Sequence, residues 1–144
     1  MTPGFIAVGL AIGFCLGVVF VFFVRSQRGR ERRVLAIGLS LAAAIYVVFA
    51  LVTRAGWQWL IVELAGASAY TVIAVLGVRR TPGWLVLGWA THPVWDMGVH
   101  LLNGATDFAP SSYELACISF DWLVAFFILK TSESWTSGGH RVLR

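Results

Sequence analysis

The chain has 144 residues, of which 58% are hydrophobic and only 12% charged, and its mean hydropathy is +0.80. A soluble domain of this size exposes too much surface to bury so many apolar side chains, so the composition excludes a soluble fold and predicts a membrane protein. The net charge of +4 and the isoelectric point of about 9.7 do not indicate a nucleic-acid partner, because the basic residues cluster between apolar runs.

Apolar runs divide the chain into five predicted transmembrane helices, each close to the roughly 20 residues that cross a bilayer core. Their predicted bounds are Gly4–Val24, Val34–Val52, Gln58–Val78, Trp84–Leu102 and Glu114–Leu129. The connections are short and contain no linker or repeat, so we expect neighbouring helices to pack antiparallel and residues 1–144 to form one all-α bundle and a single membrane domain. No basic residue precedes the first run, so we expect a retained helix there and not a secretory signal.

Arginine and lysine positions predict the orientation of the bundle. The first connection, RSQRGRERR, holds five arginines, the third holds two, and the C-terminal segment holds three basic residues. The second connection has only Arg54, and the fourth has no basic residue. By the positive-inside rule, we expect the first and third connections and the C-terminus in the cytoplasm, with the N-terminus outside.

Small residues mark one face of the first helix. Gly9, Gly13 and Gly17 form a doubled G-x-x-x-G pattern, which lets a second helix approach closely. We expect this face to pack within the bundle, and a homo-oligomer formed through it is the alternative. Cys15 and Cys117 both lie in apolar runs and are predicted to be small buried hydrophobic residues.

Ionisable residues interrupt the third, fourth and fifth runs. An acidic side chain at the centre of a membrane helix costs about 2.5 to 3.5 kcal/mol, so these positions predict a functional site. The residues are Glu63 in the third helix, His92, Asp96 and His100 in the fourth, Asp121 in the fifth, and Glu114 at the start of the fifth. With about 100° of rotation per residue, those of the fourth helix lie on one face together with Asn103.

The same residues are predicted to lie at similar depth. With the orientation above and a rise of about 1.5 Å per residue, all of them except Glu114, which stands at the mouth of the fifth helix, lie about 4 to 16 Å below the outer boundary. We therefore expect an outward-facing pocket that is closed on the cytoplasmic side by apolar side chains. Pro93 removes a backbone donor and is expected to re-aim the neighbouring side chains. The predicted substrate-binding residues of this pocket are Trp89, Trp95, Trp122, Tyr70, Asn103 and Glu114.

Imidazoles and carboxylates spaced four residues apart predict a divalent metal site for Zn²⁺ or Fe²⁺. The predicted ligands are His92, Asp96, His100 and Asp121, and the predicted catalytic residues are Glu63, as general base, and Asp96. A metal with an open position would act as a Lewis acid or activate water. We expect a metal-dependent membrane enzyme, a hydrolase or an oxidoreductase, that acts on a lipid-like or small amphipathic molecule.

Three alternatives remain open. The polar groups could simply pair with one another and hold the helices together. They could carry a divalent cation or protons, since His-x-x-x-Asp resembles the intramembrane zinc site of cation diffusion facilitators. They could also work without metal, because His92 and Asp96 are similar to the acid/base pair of the emopamil-binding sterol isomerase family, and such a pair would imply an isomerase.

The run His92-Pro93-Val94-Trp95-Asp96, followed by His100, resembles a motif of small uncharacterised bacterial integral membrane proteins. The resemblance covers about the fourth helix and implies a bacterial inner membrane location. It implies no activity.

Overall fold

The computed structural model describes residues 2–102 and 109–137, which form five helices. They are α1 (Pro3–Ser26), α2 (Glu31–Val52), α3 (Trp57–Arg79), α4 (Gly83–Leu102) and α5 (Ser111–Ser137). No strand occurs in these two ranges, so the predicted all-α class is confirmed.

The observed ends of α1 to α4 lie close to the predicted ones, but α5 continues to Ser137 where the apolar run predicted an end at Leu129. Hydropathy falls after Leu129, whereas helical hydrogen bonding does not. The Thr131 hydroxyl donates to the Phe127 carbonyl at 2.8 Å, and the Ser132 hydroxyl donates to the Leu129 carbonyl at 3.1 Å. These bonds satisfy the polar side chains within the helix.

Four helices, α1, α2, α3 and α5, are long and apolar enough to cross a membrane, so the chain is a membrane protein. The fourth helix spans 20 residues, but the part of it with described side chains, which ends at Val99, is not among them. His92, Pro93 and Asp96 lie near its middle, and they lower its hydropathy without shortening it.

The fourth helix occupies the centre of the bundle. It lies between α3 and α5 and also touches α2, while α1 packs along α5 and α2 packs along α3. Fully buried apolar side chains fill the space between the helices; they include Leu35, Leu39, Leu85, Val124 and Ile128. The side chains of His92 and Asp96 on α4 therefore face other helices.

The glycine face of α1 packs against α5. A methyl group added at Gly9 would lie 2.8 Å from Leu115 Cβ, and one added at Gly17 would lie 2.8 Å from Leu123 Cδ2. At Gly13 the added atom would collide with the backbone carbonyl of Ala116. The predicted packing within the bundle is therefore what the chain adopts, and a homo-oligomer through this face stays a prediction.

Arg32 joins α2 to α3 at the end of the bundle that carries residues 27–30 and 80–82, which we call the arginine end. Its guanidinium donates to the Gly77 carbonyl, with Nε at 3.2 Å, and to the Arg80 carbonyl at 3.3 Å. These carbonyls belong to the last turn of α3, where a helix leaves acceptors unsatisfied and favours positive charge. Arg32 thus caps a neighbouring helix.

Candidate functional site

His92 lies at the centre of a buried polar cluster, which we define as Glu63, His92, Asp96 and Asp121. Its Nδ1 atom lies 2.8 Å from Asp121 Oδ2, within hydrogen-bond distance, and both residues are only 1% exposed. An ionised carboxylate can only accept, so with Asp121 ionised the Nδ1 atom carries the proton and donates it. This contact joins α4 to α5.

Asp96 approaches the same ring nitrogen from one turn further along α4. Its Oδ2 atom lies 3.5 Å from His92 Nδ1, close enough for an ion pair but longer than a good hydrogen bond. This oxygen is buried, and within the described chain it accepts no hydrogen bond. His92 therefore presents one nitrogen to two carboxylates, with Asp121 the closer.

Glu63 brings a third acidic group from α3. It is buried and interacts electrostatically with both His92 and Asp96. The structure thus brings together four of the acidic and histidine residues that the sequence singled out, from three helices.

Two tyrosine rings enclose the imidazole. Tyr70 on α3 meets the His92 ring edge-on with 5.0 Å between centroids, and Tyr46 on α2 does so at 6.3 Å. The Tyr70 hydroxyl lies 3.4 Å from Thr91 Oγ1. All four of the helices α2 to α5 therefore contribute a side chain around His92.

Pro93 disturbs the helix beside the cluster. A proline inside a helix donates no backbone hydrogen bond and crowds the carbonyl four residues earlier. One turn back, the Ala90 carbonyl accepts a bond of 3.2 Å from Trp122 Nε1 on α5. A neighbouring side chain thus donates to the turn beside Pro93.

Aromatic side chains cover the cluster at the end of the bundle opposite the arginine end. Tyr46, Phe49 and Tyr113 pack edge-to-face with centroids 5.2 to 6.0 Å apart. The sequence predicted a pocket open at this end, but among the described residues the cluster is buried beneath these rings. A separate apolar cavity reaches Asp121 from the side of the bundle, between α1 and α2.

The predicted substrate-binding residues are dispersed. Trp89 is buried beside the aromatic rings of Phe20 and Phe120. Trp95 and Trp122 are largely exposed on the outside of the bundle, and Glu114 is half-buried at the start of α5. The side chain of His100 and the whole of Asn103 lie outside the described residues.

Among the described side chains, which do not include that of His100, no group of three or more His, Cys, Asp or Glu is placed to hold a metal ion. The Nδ1 atom of the imidazole faces the carboxylates of Asp121 and Asp96. These carboxylates contact His92 and do not surround a space for an ion. This geometry suits proton transfer, in which a carboxylate orients an imidazole and stabilises its charged form.

A family model described as a family of unknown function, DUF6010, matches residues 6–134. The chain belongs to that family. The polar cluster and the five helices that hold it fall almost wholly within the matched range. No curated protein and no solved structure matches the chain.

Tyr46 is a residue of the site that the sequence interpretation did not name. It is 1% exposed, and its ring meets the His92 ring edge-on. Its position was available from the sequence, because it lies six residues before the end of α2, about 9 Å along the helix axis. That depth matches the depth predicted for the acidic residues.

Proposed function

We propose that all five helices cross the membrane, with the N-terminus outside and the arginine end in the cytoplasm. A helix of 20 residues is about 30 Å long, which suffices for the hydrocarbon core. Because α4 is surrounded by α2, α3 and α5, His92 and Asp96 meet protein and not lipid. The distribution of arginines supports the orientation.

We propose that the polar cluster is an acid/base centre of a membrane enzyme. The observation that carries this function is the His92 Nδ1 atom, which lies 2.8 Å from Asp121 and 3.5 Å from Asp96. A carboxylate on one nitrogen fixes the tautomer and orientation of the ring, so the other nitrogen, Nε2, exchanges the proton. His92 is thus the proposed catalytic residue, and both aspartates are positioning residues.

The proposed reaction is a proton-transfer isomerisation of a lipid-like molecule. The base removes a proton from one carbon of the substrate, the electron pair shifts along the molecule, and a proton is returned at a different carbon. The net reaction needs no oxidant and no second substrate. The proposed acid that returns the proton is Glu63, which is buried on another helix and interacts electrostatically with His92.

The metal-dependent enzyme expected from the sequence has less support, because the described acidic and histidine side chains do not form a group suited to an ion. Metal analysis of the purified protein tests this alternative. Stoichiometric zinc or iron that is lost in Asp121→Ala would favour the metal centre over metal-free chemistry.

Deuterium incorporation tests the proposed chemistry even though the substrate is not identified. Proteoliposomes containing the protein and a total lipid extract of its source membranes are incubated in deuterated water, and the lipids are analysed by mass spectrometry. Because the proton is exchanged with solvent, we expect at least one lipid to gain a carbon-bound deuterium. That gain should fall at least 100-fold with His92→Gln, the scale of general acid–base catalysis.

The matched control is His140→Gln, which alters a histidine that the proposed chemistry does not use. This variant should incorporate deuterium like the wild type. Equal incorporation by wild type and His92→Gln, or none by the wild type, would overturn the proposed function.

A further inference from the structure

A cavity of about 270 Å³ lies between α1, α2 and α5, beside the polar cluster. We call it the lateral slot. It is lined almost entirely by apolar side chains, and Asp121 contributes to its wall. The lining includes Leu16, Phe20, Leu41, Ala42, Trp89 and Asp121.

The slot runs from the outside of the bundle to its centre. At the mouth, Leu16 on α1 is 55% exposed and Leu41 on α2 is 61% exposed. At the inner end, Trp89 and Asp121 are each only 1% exposed. Since the mouth lies partway along two membrane helices, the molecules that reach it are those dissolved in the lipid.

Sparse packing between two consecutive helices keeps this slot open. Although a short turn joins them, α1 packs mainly on α5 and α2 packs mainly on α3. A glycine on α2 also preserves the space, because a methyl group at Gly38 would lie 2.8 Å from Phe20 Cζ and 3.3 Å from Trp89 Cζ2. A larger residue at this position would fill the inner end.

Trp89 carries a hydrogen-bond donor at the inner end of the slot. Its Nε1 atom is buried and has no hydrogen-bond partner within the described chain. The Cζ2 edge of its indole, which adjoins Nε1, faces Gly38 in the slot wall. A buried donor without a partner costs free energy, so a bound oxygen atom that accepts from it would be favoured.

We propose that the lateral slot binds a single-chain, uncharged lipid-like molecule whose oxygen accepts a hydrogen bond from Trp89 Nε1. The apolar walls suit one hydrocarbon chain. No basic side chain is among the described residues that line the slot, and Asp121 would repel an anionic head group. This inference rests on the proposed function only for the reaction that the bound molecule undergoes. The molecule would lie against the Asp121 carboxylate, which orients His92.

Photoaffinity labelling in proteoliposomes tests the slot directly. The probes are a long-chain alcohol carrying a diazirine and the matching hydrocarbon without the hydroxyl group. Labels are mapped by mass spectrometry. The measured ratio is labelling of Leu41 on α2 divided by labelling of Val72, an exposed residue on α3. We expect Ala42→Phe, which fills the slot, to lower this ratio at least fivefold for both probes.

Two further variants separate the parts of the proposal. Ala11→Phe adds the same ring on an exposed face of α1 and should leave the ratio unchanged. Trp89→Phe keeps an aromatic ring but removes the donor, so it should lower the ratio roughly fivefold for the alcohol only, which is the contribution of one neutral hydrogen bond. Equal ratios in wild type and Ala42→Phe would overturn the slot, and an equal effect of Trp89→Phe on both probes would overturn the hydrogen bond.

His92→Gln distinguishes this inference from the proposed function. It should leave slot labelling intact while it abolishes deuterium incorporation. Slot labelling in a wild-type protein that incorporates no deuterium would contradict the proposed reaction alone. Deuterium incorporation by a wild-type protein whose slot is not labelled would contradict the slot alone.

Discussion

At the scale of single residues, the fold depends on how a few polar groups are satisfied away from water. His92 is enclosed by side chains from four helices, and its contact with Asp121 at 2.8 Å is the shortest of them. Burying an acid and a base carries a large desolvation cost, which is offset only when the pair is well placed. The geometry of this pair therefore affects both stability and chemistry.

Replacing each aspartate with its amide should reveal which one holds His92. We expect Asp121→Asn to lower the free energy of unfolding by about 1 to 2 kcal/mol, because a charge-assisted hydrogen bond becomes a neutral one. Asp96→Asn should lower the free energy of unfolding by less than about 0.5 kcal/mol. Its contact with His92, at 3.5 Å, is too long for a good hydrogen bond, so little is lost. Unfolding in detergent with increasing dodecyl sulfate, followed by circular dichroism, measures both, and a larger loss in Asp96→Asn would contradict this assignment.

The bond from Trp122 to the turn beside Pro93 makes a second prediction. Trp122→Phe should destabilise the protein by about 1 kcal/mol, since it removes one donor and keeps most of the ring. The control is Trp57→Phe at a position that is 71% exposed, where we expect little change. Equal stability of the two variants in the same unfolding assay would show that the Ala90 carbonyl does not need this donor.

The acidic residues and His92 were predictable from sequence, because the free-energy cost of placing ionisable side chains in a membrane makes such residues rare. Tyr46 was not identified, because a tyrosine in an apolar run is ordinary and its role depends on which way α2 faces. Trp95 and Trp122 are the opposite case, because the sequence interpretation assigned them to the pocket and the structure exposes them on the outside of the bundle. Their depth could be predicted, but whether they face the bundle interior depends on the packing of α4 against two neighbours.

At the scale of helices, close approach determines which pairs form. The three glycines of α1 place its backbone against α5, and a side chain at Gly13 would meet the Ala116 carbonyl. The backbone carbonyl of Ala116 cannot move aside in the way that the end of a flexible side chain can. The α1 and α5 pair is therefore the contact most sensitive to a single added methyl group.

Gly13→Ala should destabilise the protein by roughly 1 to 3 kcal/mol, the usual cost of overpacking. Gly98→Ala in α4 is the matched control, because nothing lies within 4 Å of the added atom. Alanine is the better helix former, so Gly98→Ala should be neutral or stabilising by up to about 1 kcal/mol. Thermal unfolding in detergent compares the two, and a similar loss in both would argue against the tight α1 and α5 packing.

The number and bounds of the helices were largely predictable, because a bilayer imposes one length on every apolar run. The prediction for α5 ended too early, since hydropathy reports burial in lipid and not backbone hydrogen bonding. The prediction that sequence neighbours pack together is wrong for α1 and α2. Short connections favour sequence neighbours, yet α1 packs on α5 in preference to α2, and this choice creates the lateral slot.

At the scale of the whole molecule, the central position of α4 explains how a helix with His92, Pro93 and Asp96 fits a membrane protein. The surrounding helices supply partners for its polar groups and an apolar surface toward lipid. In this arrangement, we propose that the polar cluster meets the bilayer only through the lateral slot.

Reporter fusions test whether α4 crosses the membrane and in which direction. We expect a fluorescent protein fused after residue 80 to fold in the cytoplasm, and alkaline phosphatase fused after residue 54 or residue 105 to be active outside. Opposite locations for residues 80 and 105 follow from a spanning α4. The same location for both would contradict the five-span topology, and an inverted pattern would contradict the orientation.

The most direct test of the acid/base centre is the tautomer of His92, measured by solid-state ¹⁵N NMR on histidine-labelled protein in lipid bilayers. The signals that disappear in His92→Gln identify this residue. We predict a protonated Nδ1 in hydrogen-bond contact with a carboxylate, and an Nε2 that gains and loses the proton as pH changes. A proton fixed on Nε2 with a bare Nδ1 would contradict the proposed role of His92.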